Sequence, residues 1–399
     1  MKPNSRYPAR LLLFALPVLV AAGSCGPRSA APLPPGITLA GDARSLVPLL
    51  QRLEGLTDTR LARQAGRLEK QLAGCRRFVA HCPADAPCDL PAAVSCDGSP
   101  LTDRAEAAAG DADWVLARVA SDEDWFLTRG RRAADGSLDL DGELSDPDES
   151  SALSLLLPSA DPAGPDQLAT GDALVHVRLR PESGLDLARF IQGKGWGARL
   201  YRLQSDLFEG TTLAGVWELA IYTPDEGDVI PPMALAVDIR DRRQAVSVME
   251  KFLKDLQSSW PLRRSPFQLG GWDGACLTNL NVMPDLAPCY LATDKALLIG
   301  WNPKSLERAT AAAKGQAAAS TAPSTPAAAT GGTGAGAPGA DDSRLSVFFD
   351  RLPRADAILA RSSGSKVSLG PKFYPWRRLV IHGRRGRGRF QFTAELESR

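Results

Sequence analysis

The 399-residue chain is poor in the groups that carry most enzyme chemistry. It has three histidines, His81, His176 and His382, in three separate regions. No H-E-x-x-H, C-x-x-C or G-x-S-x-G string occurs, so the common signatures of helix-borne zinc, redox dithiols and nucleophile elbows are missing. Neither sign of charge is in excess. The 47 Lys and Arg against 46 Asp and Glu leave +1, and no global field recruits nucleic acid or an acidic substrate. Long apolar runs are scarce too, and the one that stands out spans residues 11–22.

Lys2, Arg6 and Arg10 precede that run with no acid among them, and Gly23-Ser24-Cys25 follows it. A basic start, a short apolar stretch and small residues, in that order, read as a leader for export. The run is shorter than the roughly 20 residues a membrane span needs. A cysteine placed directly after small residues resembles the lipobox of bacterial exported lipoproteins, with Ala22 where that family prefers Leu. The resemblance implies that residues 1–24 are removed and that Cys25 is acylated. The protein would then be anchored in the cell envelope, facing the periplasm or the exterior. An ordinary signal peptide cut before Cys25 is the alternative.

Beyond Cys25 come Cys75, Cys82, Cys88, Cys96, Cys276 and Cys289. An even number in an exported chain predicts disulfides. Cys276 and Cys289 are expected to pair across a hairpin, while the first four allow three connectivities. Zinc competes because His81 adjoins Cys82, but structural zinc favours tighter cysteine pairs than these. No metal or cofactor is expected.

Residues 25–36 carry a cluster of prolines and read as a tether. Two apolar stripes follow at helical spacing: Leu46, Leu49, Leu50 and Leu53, then Leu61, Ala65, Leu68 and Leu72. Residues 75–96 read as a cysteine-rich loop because of Pro83, Pro87 and Pro91. Strands are expected at 114–119, 125–128 and 137–144, closing a first subdomain over 37–150. Residues 151–172 form a proline-rich connector.

From 173 the pattern sharpens. Ala173, Val175, Val177 and Leu179 share one face of a strand, with His176 and Arg178 on the other. Alternation predicts strands at 213–222 and 233–239, with Trp217, Leu219, Ile221, Met233, Leu235 and Val237 turned inward. Asp241 caps a helix, with Gln244 three residues on. Strands at 276–279, 289–293 and 296–301 lead to a helix opened by Asn302 and Pro303. Residues 315–340 are of low complexity and uncharged, and such a segment cannot bury a core. The strand-like runs at 344–350, 376–382 and 389–396 are expected to complete the sheet of a second domain, 173–397. The strand running through Asp238 into the capped helix, together with residues 290–309, resembles a domain-of-unknown-function family of exported bacterial proteins over about 170–397. That resemblance implies an α+β fold and no activity. The expected class for the whole chain is α+β, mainly antiparallel sheet with packed helices, in two subdomains.

Motif-like strings have bland readings. Gly334 to Gly339 matches G-x-G-x-x-G but lies in the low-complexity segment, with no strand before it. Ser363 to Lys366 matches S-x-x-K without its companion strings. Asp139, Asp141 and Glu143 alternate as on the wet face of a strand, spread too far for one calcium ion. The sharpest surface feature is arginine: Arg377, Arg378, Arg384, Arg385, Arg387 and Arg389. Their forks suit phosphate or carboxylate, so anionic lipid or an anionic envelope polymer is the candidate partner. No catalytic residue is nominated. The expected function is a lipid-anchored, non-enzymatic binding or scaffolding protein. The alternatives are a carrier of an apolar ligand, using space left by Ala214, Gly215, Ala220, Ala234 and Ala236, and a hydrolase assembled from distant residues.

Overall fold

The structure, a computed structural model, describes residues 33–398 apart from 55–58, 86, 97–99, 122–124, 146–165, 169, 180–212, 229–230, 260–261, 279–286, 311–342, 364–375 and 387–388. The leader, Cys25, the low-complexity segment and the G-x-G-x-x-G string lie outside the described residues. So do Lys366, Arg387 and the helix expected near 184–192.

The chain divides into two compact units, residues 1–154 with 366–399, and residues 155–365. In the first unit β1 (Gly36–Asp42) leads through α1 (Ala43–Glu54) and α2 (Thr59–Leu72) to β2 (Arg77–Pro83) and β3 (Val94–Cys96). Then follow α3 (Pro100–Ala109), β4 (Trp114–Val119), β5 (Trp125–Arg132) and β6 (Leu138–Ser145). Asp42 ends β1 and starts α1 at once, because its Oδ1 accepts the Arg44 N–H at 2.8 Å, the job of an N-cap. The expected helical stripes are buried through Leu46, Leu50, Ala65, Leu68 and Leu72.

The second unit holds β7 (Ala173–Leu179), β8 (Leu213–Tyr222), β9 (Met233–Ile239) and α4 (Arg242–Ser259). It continues with β10 (Arg263–Leu269), β11 (Trp272–Thr278), β12 (Cys289–Ala292), β13 (Ala296–Gly300), β14 (Ser343–Phe348) and α5 (Leu352–Ser363). Its strands pair antiparallel in the order β10-β11-β12-β13-β9-β8-β7-β14. Both expected caps are present. Asp241 Oδ1 accepts the Gln244 N–H at 3.0 Å, and Asn302 Oδ1 accepts the Ser305 N–H at 2.9 Å.

The chain then returns to the first unit as β15 (Trp376–Gly386) and β16 (Arg389–Ser398). There the sheet order is β15-β16-β6-β5-β4-β1-β2-β3. Residues 376–398 pair with the first unit's strands through β16–β6, and β14 pairs with β7.

Among the described residues strand outweighs helix, 47% against 30%, and every described pairing is antiparallel. The protein is β-rich, which corrects the α+β expectation. The excess comes from strands that sequence signals hide. β1 adjoins the proline-rich tether, β2 runs through the cysteine segment read as a loop, and β10 contains Pro266. Pro266 and the two arginines of β10 sit on the edge strand of the second sheet, where proline and charge blunt pairing with another chain.

Aromatic rings lie flat on the first sheet where glycine leaves room. A Cβ on Gly130 would stand 2.1 Å from the Trp114 ring, and one on Gly142 would stand 2.1 Å from Phe392. Phe392 in turn stacks on Phe126, with centroids 6.1 Å apart. Gly130→Ala must displace a buried tryptophan and is expected to cost about 1–3 kcal/mol. Gly171→Ala, with nothing within 4 Å, is expected to be near neutral. Urea denaturation midpoints of the two variants test this contrast.

Candidate functional site

The densest chemistry among the described residues is a buried charge network in the second unit. It grows from the register of four strands. Arg178 on β7 stands opposite Glu218 on β8 and opposite Arg344 on β14. One row along, His176 stands opposite Ala220 and Ser346. The sheet face that the alternation turned outward is therefore the more deeply buried one. His176 and Glu218 are fully buried, while Val175, Val177, Trp217 and Leu219 are only half-buried. The reason is that a packed layer covers the face that carries His176 and Glu218, while α4 covers the opposite face around β9 and β11–β13. Ala245, Met249 and Leu253 of α4 pack on one side with Ile239, Leu277, Tyr290 and Leu297. Leu168, Leu306 and Ala309 pack in the cluster that holds Ala220, Tyr222, Ala234 and Ala236. The space that those alanines were expected to leave for an apolar ligand is filled; the side chains of Ala214 and Gly215 lie outside the described set.

Glu218 is the hub. Its carboxylate accepts the Gln167 and Leu168 backbone N–H groups at 2.9 Å and lies 3.5 Å from Arg178 Nε. His176 Nε2 lies 3.4 Å from its Oε2. Arg344 Nη2 is 3.5 Å from His176 Nδ1. A guanidinium only donates, so Nδ1 accepts, and Nε2 carries the proton that faces Glu218. Asp166 receives Arg344 Nη2 on both oxygens at 2.6 Å and Arg178 Nη1 at 3.2 Å. Gln167 extends the network by donating to Asp238, which also accepts the Val216 N–H at 2.8 Å. Burial, with the charges of Asp172 and Glu218, pushes the Tyr222 phenol well above its ordinary value, so it stays protonated.

Donor atoms of Asp166, His176 and Glu218 fall within 4.8 Å of one another, which invites a metal reading. The surroundings argue against it. Two carboxylates already face two guanidiniums, and a divalent ion would have to displace those cations or sit beside them. His176 and Glu218 have no exposed surface, while Asp166 and Arg344 at the rim of the network are partly exposed. The network does structural work: it pins the connector at 166–168 and strand β14 to β7 and β8.

No protein-family model, curated protein or solved structure matches the chain.

The cysteines pair as Cys75–Cys96, Cys82–Cys88 and Cys276–Cys289. The third bond joins directly opposed residues of β11 and β12, and the first ties the end of α2 to β3. His81 hydrogen-bonds Thr38 through Nδ1 at 2.9 Å and Cys82 is committed to Cys88, so the zinc alternative falls. Asp141 and Glu143 both face Arg129 Nη1, at 3.0 and 3.3 Å, which gives the acidic face of β6 a cation of its own.

The arginine group is not one patch. Arg377 and Arg378 begin β15, while Arg384 and Arg385 lie near its far end, roughly 20 Å away along the strand. Arg378 is paired with Glu397 at 2.6 Å. Arg389 starts β16 in one row with Gly386 and Ser145. No helix among the described residues is long and apolar enough to cross a membrane.

Sequence reasoning missed Asp166, Glu218 and Arg344 altogether and placed His176 on a polar face. Asp166 stood in a supposed connector, and Arg344 follows the low-complexity segment by a few residues. The available signal was Ala220, Ala234 and Ala236. Small residues on the same face as His176 and Glu218 indicate a face that another layer approaches closely. Glu218→Ala strips the Gln167 and Leu168 N–H groups and Arg178 Nε of their buried carboxylate and is expected to cost about 3–5 kcal/mol. Millimolar zinc or manganese is expected to leave the melting temperature of the unaltered protein in place. Thermal melts read both outcomes, and a metal-induced rise would restore the metal reading.

Proposed function

We propose that the chain is an exported bacterial envelope protein, held to a membrane by an acylated Cys25, whose folded part binds or scaffolds rather than catalyses. The observation that carries this reading is the complete pairing of the cysteines after Cys25 into three disulfides, with Cys25 the one left over. Such bonds form and persist in oxidising compartments. A lone cysteine at the end of a basic and apolar leader is what a lipid anchor requires, and several acyl chains hold where one gives marginal binding. The non-catalytic half of the reading is supported by the charge network, whose acids and bases are engaged with one another and whose His176 and Glu218 are fully buried. The carrier alternative loses support from the filled alanine face.

Intact mass of the protein after mild detergent extraction tests the proposal. The expected mass lacks residues 1–24, carries acyl chains on Cys25, and gains two hydrogens for each disulfide on reduction. Reduction is also expected to lower the melting temperature, at about 2–5 kcal/mol for a native disulfide. An unmodified Cys25 or a retained leader overturns the anchor.

A further inference from the structure

The two units share one strand plan. In the first, β1 lies between β4 and β2, with β3 beyond. In the second, β7 lies between β14 and β8, with β9 beyond. β1 and β7 each have seven residues, and their registers agree. The sixth residue of β1, Gly41, stands opposite Phe78 and Trp114. The sixth of β7, Arg178, stands opposite Glu218 and Arg344. One place in the plan is therefore filled by a glycine and two buried apolar rings in the first unit, and by three ions in the second. The plan itself does not require the charges. Apolar packing is often as stable as a buried ion network, or more so, so this network answers a need beyond keeping the strands in order.

Its rim is where anything outside the chain can meet it. The side chains of Asp166 and Arg344 are 18% and 31% exposed. Arg178 and Arg344 stand directly opposite each other, and like charges so placed repel. The carboxylate that answers them at the rim is not part of the sheet. Asp166 belongs to the segment ahead of β7. It takes Arg344 Nη2 on both oxygens at 2.6 Å and Arg178 Nη1 at 3.2 Å. Its hold on Arg344 is incomplete, because Arg344 Nε has no hydrogen-bond partner among the described residues. A guanidinium edge offers two parallel N–H groups to a carboxylate, and here one of the pair is unused. A carboxylate not tied to the backbone of Gln167 can turn to meet both. The place is already shaped to a planar, singly charged group, which sets the class of ligand it takes.

We propose that Arg344, backed by Arg178, is a binding site for a carboxylate from outside the chain, and that the protein keeps this site closed with its own Asp166. The proposal rests on the binding role read above and not on the lipid anchor, which the mass measurement tests by itself.

The test is thermal melting of the full chain in sodium acetate, against sodium chloride at equal ionic strength. The unaltered protein is expected to melt alike in the two salts, because the internal carboxylate holds the site. Asp166→Ala is expected to melt lower in chloride and to recover saturably in acetate, with an apparent affinity at least about tenfold above that of the unaltered protein. Adding Arg344→Gln is expected to weaken that response by about tenfold or more, the scale of one lost charge-assisted bond. Asp89→Ala is the control. It removes the partner of Arg67 from a surface pair at 2.6 Å and is expected not to respond. Should Asp166→Ala fail to fold, Asp166→Asn, which keeps the volume and drops the charge, carries the test. A blocked tripeptide with a central glutamate, run beside acetate, tells a protein side chain from a small acid as the source. The proposal is overturned if Asp166→Ala does not respond, if the unaltered protein responds equally, if the response survives Arg344→Gln or is shared by Asp89→Ala, or if phosphate replaces acetate equally well.

Discussion

A carboxylate with no exposed surface cannot be solvated by water, so its surroundings must do that work. Glu218 meets this constraint with two backbone N–H groups from the segment at 167–168, the guanidinium of Arg178 and the ring of His176. The donors come from two stretches of chain, residues 167–168 and β7, and the carboxylate from a third, β8. The arrangement exists only when the connector, β7 and β8 are all in place. Asp166 repeats the logic one step out and recruits Arg344 of β14, which arrives after more than a hundred intervening residues. Loss of a single member would leave an uncompensated buried charge, so the network ties register to charge. A one-residue slip of β7 against β8 would put Val177 or Leu179 opposite Glu218, and that state is strongly disfavoured.

The hydrophobic layers around this network follow from the same sheet. On β7 and β8 the alternation separates half-buried apolar residues from buried small and charged ones. α4 covers one face around β9 and β11–β13, and residues 303–310 join the cluster on the other. That is why Ala234 and Ala236 are as deeply buried as Val237. It is also why Tyr290 can sit in the core while its hydroxyl donates to Glu250.

Where local rules decide structure, the chain was readable. The caps at Asp241 and Asn302, the helical stripe from Ala65 to Leu72, and strands β4, β6, β12 and β13 follow from spacing and side-chain chemistry alone. Where neighbours distant in sequence decide, it was not. Gly36 to Asp42 has no clean alternation and becomes a strand because β2 and β4 pair with both its edges. Arg77 to Pro83 looked like loop because prolines and cysteines crowd the segment, yet the prolines fall at and beyond its end. Arg377, Arg378, Arg384 and Arg385 near the C-terminus are close in sequence but spread along a strand of eleven residues, since a strand separates what a loop would gather. The approach of Gly41 to Asp113 has no sequence signature at all. It is a contact between residues far apart in the chain.

The return of β15 and β16 to the first unit has a bearing on how the protein is made. A ribosome delivers residues 36–145 first, and they carry six strands of that sheet with one long edge, β6, still bare. The strand that pairs with it, β16, starts only at Arg389, more than two hundred residues later. Until that stretch is made, the early part of the chain presents the open flank of β6, a template for any passing extended segment. A protein arranged this way cannot close its first unit before the second has been translated, and a chaperone that holds the chain meanwhile would shield β6 for that whole interval.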